Sequence, residues 1–480
     1  MHLLTKHEDK LLVIASRDES VRIGDVLEAD GVISQVVDIG FPDLPGIQEH
    51  ILRQSLIPKT NTKENTEEEI RTMFGSIADS RIVVSKIRGH ISSSDGKDIF
   101  KPGLTDFNIS RETTKPIVLP PKKLVQLLNL NFGKNTIATT ISSEDPIGFD
   151  FLPNHFGISL ITGQKGYGKS YFSKRLLLNL IESGALVIVF DINGEYGDLD
   201  KDENLKPNDY SQHFTFLERS RRQPQGNRLP FRIPLNQISS FEFCKAVNIF
   251  ENQATFATLI RFWNEHAGQQ FDLNDVRDFA NGLNDHREQA VRETIIDRVR
   301  TAETMNLFGP MDWTQILQSH QEGGAVVISL AREHSYLLSI MVRFILRSIE
   351  RWVIERQRGI ALFLEEAQNY VEGDDSFRDL LTRMRHIGGY PVFITNDPQT
   401  LPPEVLSLAD NVVCFKFESE QVLSHISKSG KIDEGTLKNL KILESGQCLC
   451  VGKFTNDFPF FLQIGKQDGV KMAGETKPLV

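Results

Sequence analysis

The stretch GQKGYGKS, from Gly163 to Ser170, matches the pattern G-x-x-x-x-G-K-[ST] in full. The apolar segment GISLITG leads into it, and the segment SYFSKRLLLNLIESG, which has helical periodicity, follows it. A strand, a glycine-rich turn and a helix in this order direct backbone N–H groups and a helix N-terminus at a phosphate group. The pattern therefore predicts a nucleoside-triphosphate site, rather than an accidental glycine-rich turn, inside an α/β domain.

Each residue type in this stretch has a chemical role at such a site. The ammonium group of Lys169 can bridge the β- and γ-phosphates of ATP, and the hydroxyl group of Ser170 can bind Mg²⁺. The predicted nucleotide-binding residues are Gly163, Gln164, Lys165, Gly166, Tyr167, Gly168, Lys169, Ser170 and Tyr171.

From about residue 145 onward, apolar segments of strand length alternate with helical patterns. Segments that are apolar on both faces are typical of a central, mostly parallel sheet covered by helices. The stretch of about 239–313 is helical throughout and predicts an insertion. Residues 1–140 instead show short β segments between turn signals, which predict a small N-terminal β-barrel. The predicted domains are therefore 1–140 and 145–480.

Composition narrows the classes of protein that remain. The chain has 480 residues, a formal net charge of -10 and four cysteines without zinc-site spacing. A protein that coats nucleic acid would be basic, so any contact with DNA needs a local basic patch. Because no apolar run reaches the roughly 20 residues that span a bilayer, and no signal peptide is evident, we expect a soluble, cytoplasmic protein with free thiols.

Acidic residues end two of the predicted strands. Glu365 and Glu366 follow the strand Ile360–Leu364, and we assign Glu365 to the metal side and Glu366 to the base that polarises the attacking water. Asp191 and Glu195 end the second strand of the domain, where either can orient water or bind a metal ion, although an ordinary N-G turn also explains them. The predicted metal ligands are Ser170, Glu365 and Asp191.

A third strand, PVFIT, ends in Thr395 and Asn396, where a polar side chain can contact the γ-phosphate. The segment LLTRMRHIGG carries Arg383 and Arg385 between a helix and that strand. A guanidinium group there can stabilise transition-state charge, in its own subunit or in a neighbouring one, or it can form a structural ion pair.

In order, GQKGYGKS, DINGEY, FLEEAQNYV and RMRHIGG resemble the motifs of the HerA-type ATPases of the HerA–FtsK group. The resemblance covers Ile147 to the C-terminus, and Arg385 occupies the arginine-finger position. It implies a RecA-like P-loop core that binds ATP and Mg²⁺, and a ring, expected to be a hexamer, around double-stranded DNA. Gln368 and the segment TNDPQTL depart from the family pattern, so Asn396 must act as the sensor.

Two further groups of residues are weaker candidates for DNA contacts. The stretch RSRRQPQGNRLPFR carries five arginines and no acidic residue, although an ordinary solvated loop has the same composition. These arginines are Arg219, Arg221, Arg222, Arg228 and Arg232. Lys122 and Lys123 form the second group.

Three functions remain open on the sequence. The first is an ATP-driven DNA translocase, helicase-like, that works with a partner nuclease or other effector in DNA-end processing, DNA repair or antiviral defence. The second is an ATP-binding hexameric scaffold that assembles and regulates effector subunits. The third is a protein or conjugation motor of the same superfamily, which the lack of apolar membrane segments disfavours.

Overall fold

The computed structural model describes residues 1–41, 80–94, 96–103, 109–110, 113–130, 137–143, 145–149, 151–283, 286, 288–371 and 386–472. Its strands, in chain order, are β1 His2–His7, β2 Lys10–Ala15, β3 Val26–Ala29, β4 Val32–Gly40, β5 Arg81–Ser94, β6 Lys97–Pro102, β7 Ile117–Val118, β8 Ala138–Thr140, β9 Gly148–Phe149, β10 Ser159–Thr162, β11 Leu186–Asp191, β12 Phe214–Glu218, β13 Arg228–Pro230, β14 Gly324–Ser329, β15 Ile360–Glu365, β16 Gly389–Thr395, β17 Asn411–Cys414, β18 Gln447–Gly452 and β19 Phe460–Ile464.

The helices are, in chain order, α1 Pro121–Leu127, α2 Lys169–Glu182, α3 Ser240–Ala246, α4 Ala254–Glu265, α5 Leu273–Asn281, α6 Gln289–Met305, α7 Trp313–Ser319, α8 Ser335–Arg356, α9 Gln368–Val371, α10 Pro403–Ser407, α11 Glu420–Ser427 and α12 Glu434–Lys438. No helix in the described ranges is both long and apolar enough to cross a membrane.

The chain divides into two compact units. Unit 1 comprises residues 1–151 and 414–465, and unit 2 comprises residues 152–413 and 466–480. We predicted a division near residue 145 with everything beyond it in one domain. The segment 414–465 instead packs in unit 1, because β19 pairs antiparallel with both β18 and β8.

Unit 2 contains a large, mostly parallel sheet. The strand order is β13-β12-β14-β11-β15-β16-β10-β17, and each strand from β13 to β10 is parallel to its neighbours in that part of the sheet. Every residue of β11 and of β15 is buried, as expected for strands covered on both faces. The α/β fold class with a central parallel sheet is thus confirmed.

Close backbone packing determines where the strand before the glycine-rich turn begins. A Cβ atom on Gly157 would lie 2.1 Å from Oδ2 of Asp410, and that same oxygen accepts a hydrogen bond from the Ile158 N–H at 3.0 Å. Any larger side chain at position 157 would displace this carboxylate. Gly157 therefore sets the entry into β10, which delivers the chain to the turn.

The helical insertion lies between β13 and β14 and comprises α3 to α7. Its aromatic residues form the core of the insertion, as expected from their helical spacing. The ring of Phe262 lies 5.2 Å from the ring of Phe271 and 5.0 Å from that of Phe279. The indole N–H of Trp263 donates to the Ile238 carbonyl oxygen at 3.0 Å, which joins α4 to the chain before α3.

Unit 1 contains an antiparallel sheet in the order β1-β2-β5-β4-β3-β7, with β6 paired to β5. Its buried side chains, such as Leu11, Val13 and Val83, form one apolar cluster. Within the described residues no pairing joins the edge strands β1 and β7. The prediction of a β-rich N-terminal part is therefore confirmed as an antiparallel sheet, whereas closure into a barrel is not shown.

Candidate functional site

The turn GQKGYGKS connects β10 to α2. Gly166 and Gly168 have φ angles of 89° and 109°, a left-handed conformation that costs little only in glycine. Gly168 is the N-cap of α2, so Lys169 and Ser170 open the helix. The first N–H groups of a helix have no partner within the helix. The loop therefore directs backbone donors and a helix N-terminus at one place, as expected for a phosphate site.

Lys169 is folded back onto the turn. Its ammonium group donates a hydrogen bond to the Gln164 carbonyl oxygen at 2.8 Å, and the residue is 7% exposed. Burial lowers the pKa of Lys169 to about 8, although Glu366 and Glu195 favour the charged form. Lys169 is thus a buried cation close to two carboxylates, and a triphosphate would be a stronger partner for it than one carbonyl oxygen.

Glu366 lies immediately after β15 and has a left-handed φ of 44°, which costs a non-glycine residue about 1 kcal/mol. Its carboxylate accepts hydrogen bonds from the side-chain amides of Asn396 and, at 2.6 Å, Gln368. The Thr395 hydroxyl in turn donates to the Gln368 amide oxygen at 2.8 Å. The ends of β15 and β16 therefore hold Glu366 in one orientation while leaving it half-buried. Strained backbone with fixed side chains is common at catalytic sites.

Glu365 and Asp191 face each other at the ends of adjacent strands, 2% and 1% exposed. Burial raises the pKa of Glu365 well above its usual range, and the carboxylates of Asp191 and Glu195 raise it further. Burial also raises the pKa of Asp191, against the lowering effect of the backbone N–H groups of Tyr196 and Glu195. The two neighbouring carboxyl groups hold a proton more tightly than isolated carboxyl groups do.

Asp191 also organises the loop that follows β11. Its two oxygens accept the N–H groups of Glu195 at 2.9 Å and Tyr196 at 3.1 Å. The Asn193 N–H donates to Glu365 at 3.4 Å, which ties the same loop to β15. Asp191 therefore has a demonstrable structural contact, while its assignment as a metal ligand stays a prediction.

Glu195 is half-buried and faces Lys174, with 3.9 Å between Nζ of the lysine and Oε2 of the glutamate. The Lys174 side chain is 2% exposed, and burial lowers its pKa. Beside it lies Tyr196, whose hydroxyl is 2.7 Å from Oγ of Ser173. Neither Lys174 nor Tyr196 was predicted.

The remaining predicted nucleotide-binding positions are more open. Lys165 and Gly166 are exposed, while Gln164, Tyr167 and Ser170 are half-buried. The Tyr171 hydroxyl accepts the backbone N–H of Gln467 at 2.7 Å. No contact joins the Ser170 hydroxyl to Glu365 or Asp191 in the described structure, so the predicted metal set is brought together only in part. Within the same ranges no cluster of three or more His, Cys, Asp or Glu side chains has metal-site geometry.

Arg383 and Arg385 lie outside the described residues, so their proposed contact with a phosphate stays a prediction.

The arginines of the basic stretch are used mostly within the protein. Arg219 forms an ion pair with Glu333, with both oxygens at 2.8 Å from Nε, and Arg228 forms one with Asp200 at 3.1 Å. Arg228 also stacks on the Phe216 ring at 4.2 Å.

Of the other three arginines of this stretch, two also have partners within the protein. Arg221 pairs with Glu218 at 3.3 Å, and Arg232 donates to backbone carbonyl groups and to Asn306. Arg222 is exposed and makes no such contact among the described residues. Arg228 lies in strand β13, whereas the other four arginines lie outside it. Lys122 and Lys123 remain exposed on α1 of unit 1.

A cavity of about 870 Å³ lies in the region of the helical insertion and has no residue of GQKGYGKS in its lining. It is lined among others by Phe271, Asp272, Phe308, Trp313 and Trp352. The four cysteines are all buried free thiols.

Comparison with known proteins finds one family model that matches part of the chain. Residues 140–349 match the family model described as "Helicase HerA, central domain". This match begins at the last residue of β8 and ends within α8, and it includes the glycine-rich turn, Asp191 and Glu195. It confirms the resemblance inferred from the motifs. No curated protein sequence matches the chain.

Several solved structures share parts of the fold at low identity. VirB4 of Thermoanaerobacter pseudethanolicus is 13% identical, with 70% of this chain and 98% of that chain covered and a TM-score of 0.49. The bacterial conjugative coupling protein TrwBdeltaN70 is 12% identical, with 74% and 92% covered and a TM-score of 0.42. The genome packaging NTPase B204 from Sulfolobus turreted icosahedral virus 2 is 12% identical, with 64% and 96% covered and a TM-score of 0.33.

Proposed function

Residues 140–349 of this chain carry the central domain of the HerA helicase family, and on that premise we propose that the protein is an ATPase that moves double-stranded DNA as a ring. The single observation that carries the proposal is the fixed carboxylate of Glu366. It lies within electrostatic reach of Lys169 and is bonded by Asn396. Glu366, Lys169 and Asn396 are three of the parts that hydrolysis of a bound triphosphate needs.

In this mechanism GQKGYGKS binds the phosphates through backbone N–H groups, and Lys169 leaves the Gln164 carbonyl to neutralise charge on the β- and γ-phosphates. Glu366 accepts a hydrogen bond from the attacking water and aligns it with the γ-phosphate. Asn396 keeps the carboxylate oriented and, because it ends a neighbouring strand, can report loss of the γ-phosphate. Glu195 helps to hold Lys169 and Lys174 near the site by charge.

Mg²⁺ is the metal that we propose for the site. Carboxylate and hydroxyl oxygens are the ligands it takes in nucleotide sites, usually one or two from the protein, with phosphates and water completing the set. Glu365, with Asp191 beside it, and Ser170 provide such oxygens and would hold the ion. The bound ion would supply positive charge against the developing charge of the phosphates.

The family resemblance supports a ring, which we expect to be a hexamer, in which Arg385 of one subunit reaches the nucleotide of the next. Mixed assemblies test this arrangement. Lys169→Ala chains and Arg385→Ala chains each lack one half of a shared site, so mixing the two should restore turnover at the interfaces that keep both residues. If each variant hydrolyses ATP normally as an isolated monomer, the ring mechanism is contradicted.

The proposed activity is tested by measuring ATP hydrolysis with and without duplex DNA, and by following displacement of streptavidin from biotinylated duplex DNA. We expect DNA to stimulate hydrolysis and Glu366→Gln to abolish both activities. ATP hydrolysis that DNA does not stimulate, together with no displacement, would contradict translocation but leave the ATPase standing. The partner nuclease or other effector, in DNA-end processing, repair or defence, is the part of the proposal that a pull-down would identify.

A second candidate function is a nucleotide-bound scaffold that assembles effector subunits. The observation that favours it is that four of the five arginines predicted to contact DNA are bonded within the protein, namely Arg219, Arg221, Arg228 and Arg232. The native mass of the assembly, measured with Glu366→Gln and ATP, separates the two functions. A scaffold keeps its partner and the partner's activity without hydrolysis, whereas a motor loses its function.

A further inference from the structure

Residues 466–472, the last stretch of the chain that the structure describes, pack against the helix that follows the glycine-rich turn. We call residues 466–472 the C-terminal strap; all of it belongs to unit 2. Tyr171 accepts the Gln467 N–H at 2.7 Å, and Lys174 donates to the Met472 carbonyl oxygen at 2.9 Å. Arg175 donates to the Lys466 carbonyl oxygen. Helix α2 therefore contacts the strap near both of its ends.

The three helix residues that contact the strap have the spacing i, i+3 and i+4, so they share one face of α2. Lys174 and Arg175 are 1% and 8% exposed, and each gives a charged donor to a backbone carbonyl of the strap. A buried cation without such a partner costs far more than a surface one. The strap is consequently held by α2, and it supplies one partner to each of these two buried charges.

A second anchor connects the strap to the loop after β11. The Lys471 N–H donates to the Lys201 carbonyl oxygen at 2.9 Å, and its ammonium group lies 3.0 Å from Asp198. Val470 and Met472 are buried, whereas Lys466, Asp468 and Gly469 are exposed. Contacts hold the strap at both ends, whereas its middle residues are exposed to solvent. The strap therefore packs along the protein and is not a free tail.

The position of the strap relative to the nucleotide follows from the helix. Lys169, Ser170 and Tyr171 form the first turn of α2, whose N–H groups face the phosphates. The nucleoside is attached to the phosphate chain at its α end, so it must extend beyond this turn. The side chain of Tyr171 leaves the same turn and contacts the strap, so the strap lies beside the first turn of α2.

We propose that the C-terminal strap, joined to Tyr171, forms a wall of the nucleoside pocket, so that recognition of the nucleoside depends on the strap whereas recognition of the phosphates does not. This inference rests on the proposed nucleotide site and adds its second half. The ligand class is a purine nucleoside triphosphate whose base and ribose pack against the strap and the Tyr171 ring.

Calorimetric titration of the full-length chain with ATP and, separately, with inorganic tripolyphosphate tests the proposal. Gln467→Pro removes the N–H that Tyr171 accepts, Tyr171→Phe removes the acceptor, and Glu203→Ala is the control, because Glu203 is exposed in the loop after β11 and lies outside the strap. Both test variants should lose roughly tenfold in affinity for ATP and keep their affinity for tripolyphosphate within about twofold, because one hydrogen bond is at stake. The control should bind both ligands as the unaltered chain does.

Each other result has a defined meaning. A parallel loss for ATP and tripolyphosphate would overturn the wall and show that the strap only supports α2. An unchanged ATP affinity in both variants would also overturn it. An unaltered chain that binds neither ligand would instead contradict the nucleotide site itself, so the two failures are distinct. Thermal unfolding of each variant verifies that the titrated chain is folded.

Discussion

The side-chain amide of Asn396 donates a hydrogen bond to the carboxylate of Glu366, which joins the ends of two neighbouring strands above the glycine-rich turn. The contact aligns an acceptor for water with a residue that ends the next strand. Loss of either member should therefore affect hydrolysis more than binding.

Replacing Glu366 by glutamine should keep ATP bound and stop its turnover. The amide has the size of the carboxylate and can still bond to Gln368, but it cannot act as a base. General-base catalysis contributes about 10² to 10⁴ in rate, and we expect a loss of that order in kcat. Steady-state hydrolysis measures the rate and equilibrium binding measures the affinity. Turnover within about threefold of the unaltered chain would show that a residue other than Glu366 acts as the base.

Replacing Asn396 by alanine should slow hydrolysis by roughly tenfold to a hundredfold, because Glu366 loses the donor that orients it. ATP affinity should change little, since Lys169 and the turn are untouched. Gln399→Ala serves as the control, because Gln399 is exposed in the same loop. An equal effect of both substitutions would show that loop order, rather than the Asn396 contact, sets the rate.

Protonation of Asp433 should weaken unit 1 in acid. Burial raises the pKa of Asp433, but the ion pair with Arg88 at 2.6 Å and the further contacts with Thr436 and Lys86 outweigh it and hold the pKa below its usual range. A carboxyl group with a lowered native pKa stabilises the fold above the unfolded value of 3.8 and loses that contribution as the pH falls further.

Urea unfolding followed between pH 5 and pH 2 measures this effect for Asp433. The Asp433→Asn variant should be less stable at pH 5 by roughly 1 to 3 kcal/mol and should show a flatter decline in acid. Parallel pH profiles for the two proteins would mean that Asp433 does not carry the acid sensitivity.

His320 should make unit 2 sensitive to a milder acid range. Burial lowers the pKa of His320 to about 4 from 6.5, with His213 adding to the effect, while its Nε2 atom lies 2.8 Å from the Thr215 hydroxyl. A histidine with a lowered native pKa contributes stability above pH 6.5 that is lost as the pH falls toward 4, because the unfolded chain binds the proton first. Over this pH range the contribution of His320 to the free energy of unfolding falls by about 3 kcal/mol.

The His320→Gln variant should therefore lose the part of the pH dependence of unfolding between pH 6.5 and pH 4. Glutamine keeps a polar group opposite Thr215 but does not titrate. Urea midpoints measured across that range for both proteins are the test, and an unchanged slope in the variant would assign the dependence to other groups.

Arg219 and Arg222 should respond differently to removal although they are close in sequence. Arg219→Ala leaves the buried carboxylate of Glu333 without its ion pair and should lower the free energy of unfolding by roughly 2 kcal/mol. Arg222→Ala should leave stability unchanged and, if DNA passes this surface, should reduce the slope of log affinity against log salt by about one. If Arg222→Ala leaves the affinity for DNA and its salt dependence unchanged, while the stabilities of both variants are as expected, this surface does not contact DNA.

Local signals in the sequence account for much of the nucleotide site. The turn, the strands that end in Asp191 and Glu365, and the helical insertion were predictable, because glycine spacing and apolar periodicity are local properties. The pairing of β19 with β8 was not, because strand pattern does not identify a partner that lies more than 300 residues away. The sequence therefore predicts one domain from residue 145 to residue 480, whereas the segment 414–465 belongs to unit 1.

The burial of three charged side chains could not be read from the sequence. Lys174 and Arg175 were not predicted as functional residues, and Arg228 was predicted as a candidate DNA contact. Lys174 and Arg175 are buried and Arg228 is half-buried, each with a specific partner. Burial of a charge depends on what the rest of the chain brings to it. Here the distant C-terminal strap and an aspartate after β11 supply the partners, and no local pattern records either.

The polypeptide passes between the two units three times, after residues 151, 413 and 465. Neither unit can thus be obtained as a single uninterrupted fragment that keeps all its parts. A gene cut at the position that motif spacing suggests would leave the short strand Ala138–Thr140 without its neighbour, and a protease that nicked one junction would release nothing. Dissection of this protein calls for circular permutation or co-expression of pieces.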